Sequence, residues 1–203
     1  MEELRVINEQ LIKNAMSFEE YFELSKKLVD EKRTTGQNQS EGMIEYTRLN
    51  FSRLKKWIRT GELDDKLKST LSKVDSSVIW LVLVEPWCGD VAQNLPFIYK
   101  AAELNSNINL RIILRDENLE VMDEYLTSGG RSIPKMIALD NDFKELATWG
   151  PRPKTVQRML EKGKASDDFD YQAFSISAHT WYAQNKGKEI SAELNDFVGE
   201  QLK

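Results

Sequence analysis

Cys88 is the only thiol in the chain, and its neighbours place it where a thiol can do chemistry. The run Trp87-Cys88-Gly89-Asp90-Val91 follows an apolar stretch, Val78 to Val84. It precedes a helical pattern in which Val91, Leu95, Ile98 and Ala102 recur at spacings of four, three and four. The apolar stretch is short, uncharged and rich in β-branched residues, the pattern of a buried strand. Cys88 therefore falls at a strand-to-helix junction. There, backbone N–H groups and the helix dipole favour a thiolate, the nucleophilic form. A carboxylate from Asp90 opposes that effect if it approaches the sulfur. As an acid in the first turn of a helix, Asp90 otherwise reads as a dipole partner or cap.

Other chemistries find little support. His179 is the sole histidine and reads as a helix-surface or packing residue, and no Cys/His set of metal-site spacing exists. An iron–sulfur cluster on one cysteine would need a second subunit or glutathione. No serine-nucleophile motif or glycine-rich phosphate loop is present. Net charge is −5, from 28 basic and 33 acidic residues, which does not favour nucleic acid. A single cysteine forms no internal disulfide, the N-terminal run MEELRVINEQ lacks a signal-peptide core, and no apolar stretch reaches membrane length. The expectation is a cytoplasmic protein with neither a nucleic-acid nor a membrane partner.

The elements that must position Cys88 read as follows. Residues 1–76 are helical: Ser17 and Glu20 form a capping box before Phe18, Tyr21, Phe22, Leu24 and Leu28. A second helix fits Glu41 to Ile58, and a third Glu62 to Val74. From Val78 the order changes to strand (Val78–Val84), helix (Asp90–Leu104), strand (Asn109–Leu114) and short helix (Asn118–Leu126). Strands at Lys135–Leu139 and Phe143–Trp149 flank the turn Asp140-Asn141-Asp142, and a helix fits Pro153–Lys162. The first strand pair should be parallel and the last antiparallel. A polar linker near 163–168 leads to two further helices, marked by Phe174, Ala178 and Trp181 and by Ile190, Leu194, Phe197, Val198 and Leu202.

This order, with Trp-Cys-Gly at the first junction, resembles the thioredoxin family over residues 77–162. Pro96 stands eight residues after Cys88, where that family kinks its active-site helix. Ile133-Pro134 precedes the third strand, where the family carries a cis-proline facing the cysteine. Trp149-Gly150 ends the fourth strand, like a glycine lining the family's substrate groove. The WCGD form with helical flanks is similar to a bacterial branch of thioredoxin-like proteins. The resemblance implies an α/β thioredoxin-like three-layer fold, a mixed sheet in βαβαββα order, with N- and C-terminal helical extensions. Its divisions would be 1–76, 77–162 and 163–203.

The departures from the family matter for function. The family's Cys-Gly-Pro-Cys is here Cys88-Gly89-Asp90-Val91, so no resolving cysteine exists and dithiol exchange within one chain is excluded. The family's buried acid under the active site has no clear counterpart, the nearest acid being Glu85. Two readings remain open. In one, Cys88 is the catalytic residue of a monothiol oxidoreductase, attacking a protein disulfide or a glutathione mixed disulfide, with glutathione as the co-substrate that clears the adduct. In the other, the protein is a redox-inactive adaptor that binds extended peptide in a groove of Trp87, Gly89, Asp90, Val91, Ile133, Pro134 and Gly150. Neither needs a metal. Arg152 and Arg158 are positioned to attract a glutathione carboxylate but read more simply as solvated surface.

Overall fold

The computed structural model describes residues 6–202. Its centre is β1 (Val78–Val84), all seven residues of which are buried. A strand with two covered faces has no use for alternation, which explains the unbroken apolar run. β1 pairs in parallel with β2 (Ile108–Leu114) and antiparallel with β3 (Lys135–Leu139). β4 (Glu145–Trp149) adds antiparallel to β3, giving the sheet order β2-β1-β3-β4. This is the expected mixed sheet.

Upstream lie α1 (Glu9–Asn14), α2 (Phe18–Asp30), α3 (Glu41–Thr60) and α4 (Asp65–Leu71). The capping box of α2 is formed: Ser17 N–H donates to Glu20 Oε2 at 2.7 Å, and Glu20 N–H to Ser17 Oγ at 3.2 Å. Helix α4 is shorter than its periodicity suggests. Asp64 caps it by accepting from Leu67 N–H at 2.7 Å, so the helix begins at Asp65 rather than at Glu62. Met16 forms an isolated bridge to Ile112, which covers part of the outer edge of β2.

Helix α5 (Gly89–Ala102) follows β1, with Pro96 inside it, and packs against α3, where Trp57 and Phe97 meet at 5.5 Å. A short helix, α6 (Leu119–Glu124), lies between β2 and β3. The fourth strand starts at Glu145 rather than at Phe143. Asp140 Oδ1 accepts from the N–H groups of Asp142 and Lys144, and Phe143 sits at φ 58°, so the turn consumes two residues expected to extend the strand.

Three helices close the chain: α7 (Lys154–Lys164), α8 (Tyr171–Asn185) and α9 (Lys188–Gln201). Helix α9 packs on α4 and β4. Phe197 meets Trp80 edge-on at 5.5 Å, and Glu193 accepts from Trp149 Nε1 at 2.7 Å and from the N–H of Lys154 at 2.8 Å. A buried carboxylate thereby satisfies a free N–H at the start of α7. Helix α7 packs against α8 through a small cluster of Val156, Ala178 and Tyr182. No helix among the described residues is long and apolar enough to cross a membrane.

Candidate functional site

Cys88 is the N-cap residue of α5, with φ −83° and ψ 123°, so the sulfur sits where the helix's first N–H groups are unspent. Its thiol donates to the carbonyl of Ile133 at 3.4 Å. The Ile133–Pro134 peptide bond is cis, as is Gly150–Pro151. Gly150 lies so close that a Cβ there would meet the Pro134 carbonyl oxygen at 2.2 Å, a contact only glycine permits.

The electrostatics hold this thiol protonated. Cys88 is half-buried against the main core. Burial, followed by the Asp90 carboxylate, pushes the thiol up to about 12. The N–H groups of Val91 and Asp90 and the Arg152 guanidinium pull the other way. Burial outweighs the helix terminus here, because a thiolate loses more hydration than two peptide dipoles return.

Asp90 is neither a cap nor a free acid. Its Oδ2 accepts from Arg152 Nε at 2.8 Å, and its Oδ1 from the Tyr182 hydroxyl at 2.7 Å. Arg152 is thus a largely buried ion-pair partner rather than solvated surface. Arg158, by contrast, lies exposed on α7 and bonds within that helix. The two arginines are not a pair.

Glu85 is fully buried. It accepts from the Thr35 hydroxyl and, at 2.9 Å, from the N–H of Asp116. Burial raises its carboxyl above the usual range, against the two hydrogen bonds. This buried acid was not evident in the sequence, because its hydrogen-bond donors, a hydroxyl and a backbone N–H, come from 50 residues upstream and 31 downstream.

A cavity of about 360 Å³ opens beside Cys88, roofed by α3 and α8. Trp87, Cys88, Gly89, Asp90 and Ile133 line it. Val91, 1% exposed, belongs to the core and does not line it, and neither Pro134 nor Gly150 does, though the two pack on each other. Arg115 stacks over the Trp87 ring at 4.9 Å. Asn50 Nδ2 donates to the Trp87 carbonyl at 2.7 Å, tying α3 to the cysteine loop.

His179, read from the sequence as a helix-surface or packing residue, does pack, and it packs on this site and lines its cavity. It stands against Gly89, where a Cβ would meet its Cε1 at 2.8 Å. Gln93 Oε1 accepts from Trp57 Nε1, so Gln93 Nε2 must donate to His179 Nδ1 at 3.0 Å. The ring is therefore neutral, with its proton on Nε2. Burial, then the charge of Arg53, pushes it down to about 4. A single histidine far along the chain offers no sequence signal of this placement; only the fold of α8 over α5 brings it in.

Among the described residues no group of three metal-binding side chains gathers. A family model described as Thioredoxin matches residues 36–166. A crystal structure of an HIV epitope-scaffold superposes with TM-score 0.59 at 20% identity, covering 94% of this chain and 96% of that one. A protein of unknown function from Pseudomonas aeruginosa superposes with TM-score 0.56 at 21% identity, covering 91% of this chain and 98% of that one. At such identities the likeness speaks to fold alone. No curated protein matches the sequence.

Proposed function

We propose that this chain, which belongs to the thioredoxin family, works as a binding module and not as a disulfide reductase. The groove between Trp87, Ile133 and the first turn of α5 receives an extended peptide segment. One observation carries this reading: the Cys88 thiol donates to the Ile133 carbonyl. A donor must keep its proton, and a thiolate at that distance would face a carbonyl oxygen of like sign. The absence of a second cysteine works in the same direction, because nothing within the chain can expel a trapped substrate.

A second reading has its own support. The N–H groups of Asp90 and Val91 and the Arg152 guanidinium all favour a Cys88 thiolate. A thiolate formed transiently would attack a protein disulfide or glutathione mixed disulfide. The S–S bond would break, the leaving thiolate would take up a proton, and external glutathione would clear the adduct in a second exchange.

A glutathione-coupled assay on the wild type and Cys88→Ser separates the two, with mass spectrometry of the oxidised proteins. The binding-module reading expects equal rates and no adduct. Turnover that Cys88→Ser abolishes, with a glutathione adduct on Cys88, would overturn it in favour of monothiol exchange.

A further inference from the structure

The chain is acidic overall, yet the cavity beside Cys88 is lined by four arginines, Arg53, Arg115, Arg131 and Arg152, and by a single acid, Asp90. Three of these arginines are spent. Arg152 holds Asp90 at 2.8 Å, Arg131 grips Asp123 through two nitrogens at 2.6 and 2.7 Å, and Arg115 pairs with Asp116 at 2.7 Å. Arg53 is different. It donates to the neutral Asn50 Oδ1 at 2.7 Å and has no carboxylate partner among the described residues. It is half-buried on α3, and that burial holds its guanidinium below the usual range. Taking a guanidinium partly out of water without a counter-ion costs stability that an incoming anion would restore.

A second donor faces the same chamber from the opposite helix. His179 Nδ1 is committed to Gln93, so its proton is on Nε2, and that N–H carries no hydrogen bond among the described residues. Arg53 and His179 are near enough for the charge of one to depress the titration of the other. Asn50 fixes the arrangement, since its amide holds the Trp87 carbonyl with one end and Arg53 with the other.

We infer that the segment taken by this groove is acidic, with a carboxylate side chain seated between the Arg53 guanidinium and the Nε2–H of His179. The inference rests on the binding-module reading and specifies the chemistry of its ligand. A guanidinium fork matches a carboxylate in two parallel hydrogen bonds, and a neutral imidazole N–H adds a third donor without competing for the charge.

The test measures binding of two labelled peptides to the full-length protein by fluorescence anisotropy. One carries alternating glutamate and alanine, and the other has every glutamate replaced by glutamine. The expected result is that the acidic peptide binds about tenfold or more tightly than its glutamine counterpart, and that added salt erodes the difference. Arg53→Met should bring the acidic peptide down to the level of the glutamine peptide, and Arg53→Lys should keep part of the preference. Equal affinity of the two peptides for the wild type would overturn the acidic assignment while leaving the binding module in place, and needs no variant. Failure of both peptides to bind would overturn both readings. Free glutamate that displaces the acidic peptide at the peptide's own concentration would overturn the peptide as ligand, in favour of a small carboxylate.

Discussion

The hydroxyl of Tyr182 donates to Asp90 Oδ1 at 2.7 Å, so the helix that roofs the cavity is fastened to the first turn of the helix that carries Cys88. The Tyr182 hydroxyl oxygen in turn accepts from Asn94 Nδ2 at 3.0 Å. Tyr182 is buried, and burial and Asp90 hold its phenol well above the usual range, so it stays a donor at every working pH. Tyr182→Phe removes the hydroxyl, strips one partner from a carboxylate and leaves Asn94 short of one acceptor. The expected cost is about 1–3 kcal/mol, read as a lowered melting temperature. An unchanged melting temperature would show that α8 is held by its apolar contacts alone.

Asp90 sets the thiol's charge state in concert with burial. Asp90→Asn removes one of the two influences that raise Cys88 and frees Arg152, which lowers it. The thiol should titrate at lower pH than in the wild type, though burial keeps it above an ordinary cysteine. The check is the rate of iodoacetamide alkylation against pH in both proteins. A curve that does not move would mean the carboxylate is fully neutralised by Arg152 and Tyr182.

His179 should make the protein sensitive to mild acid. Its folded value, about 4, lies below its ordinary value of 6.5. Between those limits the unfolded chain binds a proton that the folded chain refuses, so stability falls as pH drops from about 6.5 toward 4. The upper bound on the loss is about 3 kcal/mol. The buried carboxyls of Glu85 and Glu193, both raised by burial, work in the opposite sense, because there the folded state holds the proton longer. The diagnostic is therefore the difference between wild type and His179→Gln in urea midpoints at pH 7 and pH 5. The variant should lose less stability on acidification than the wild type. Parallel losses would contradict the placement of a buried neutral imidazole.

The sheet was legible in the sequence because its signals are local. Val78–Val84 and Lys135–Leu139 emerge with the bounds that periodicity suggests, since a fully buried strand must be apolar throughout. The Ser17–Glu20 box marked its helix because both partners lie within one turn. The site was legible only where the motif was: Trp87, Cys88 and Asp90 stand in one run, and Ile133 in a second. Arg53, His179 and Tyr182 were not, because each is a single polar residue on a helix whose pattern says only which face is covered. The Asp90–Arg152 pair was not, because Arg152 stands in the turn between β4 and α7, where no periodicity marks it. Their partners are 86 residues apart for His179 and Gln93, 92 for Tyr182 and Asp90, and 62 for Arg152 and Asp90. Helix α8 in particular has little amphipathic pattern, since it meets the rest of the fold through polar links as much as apolar ones.

The central claim is that Cys88 rests as a protonated donor and not as an activated nucleophile. The most direct measurement is the alkylation rate of Cys88 in the full-length protein across pH, followed by mass spectrometry and compared with a free cysteine. The account predicts slower alkylation than free cysteine at neutral pH, with no inflection there and a rise only as pH climbs toward about 12. An inflection at or below pH ~7 with faster alkylation than free cysteine would contradict it and establish Cys88 as a thiolate nucleophile.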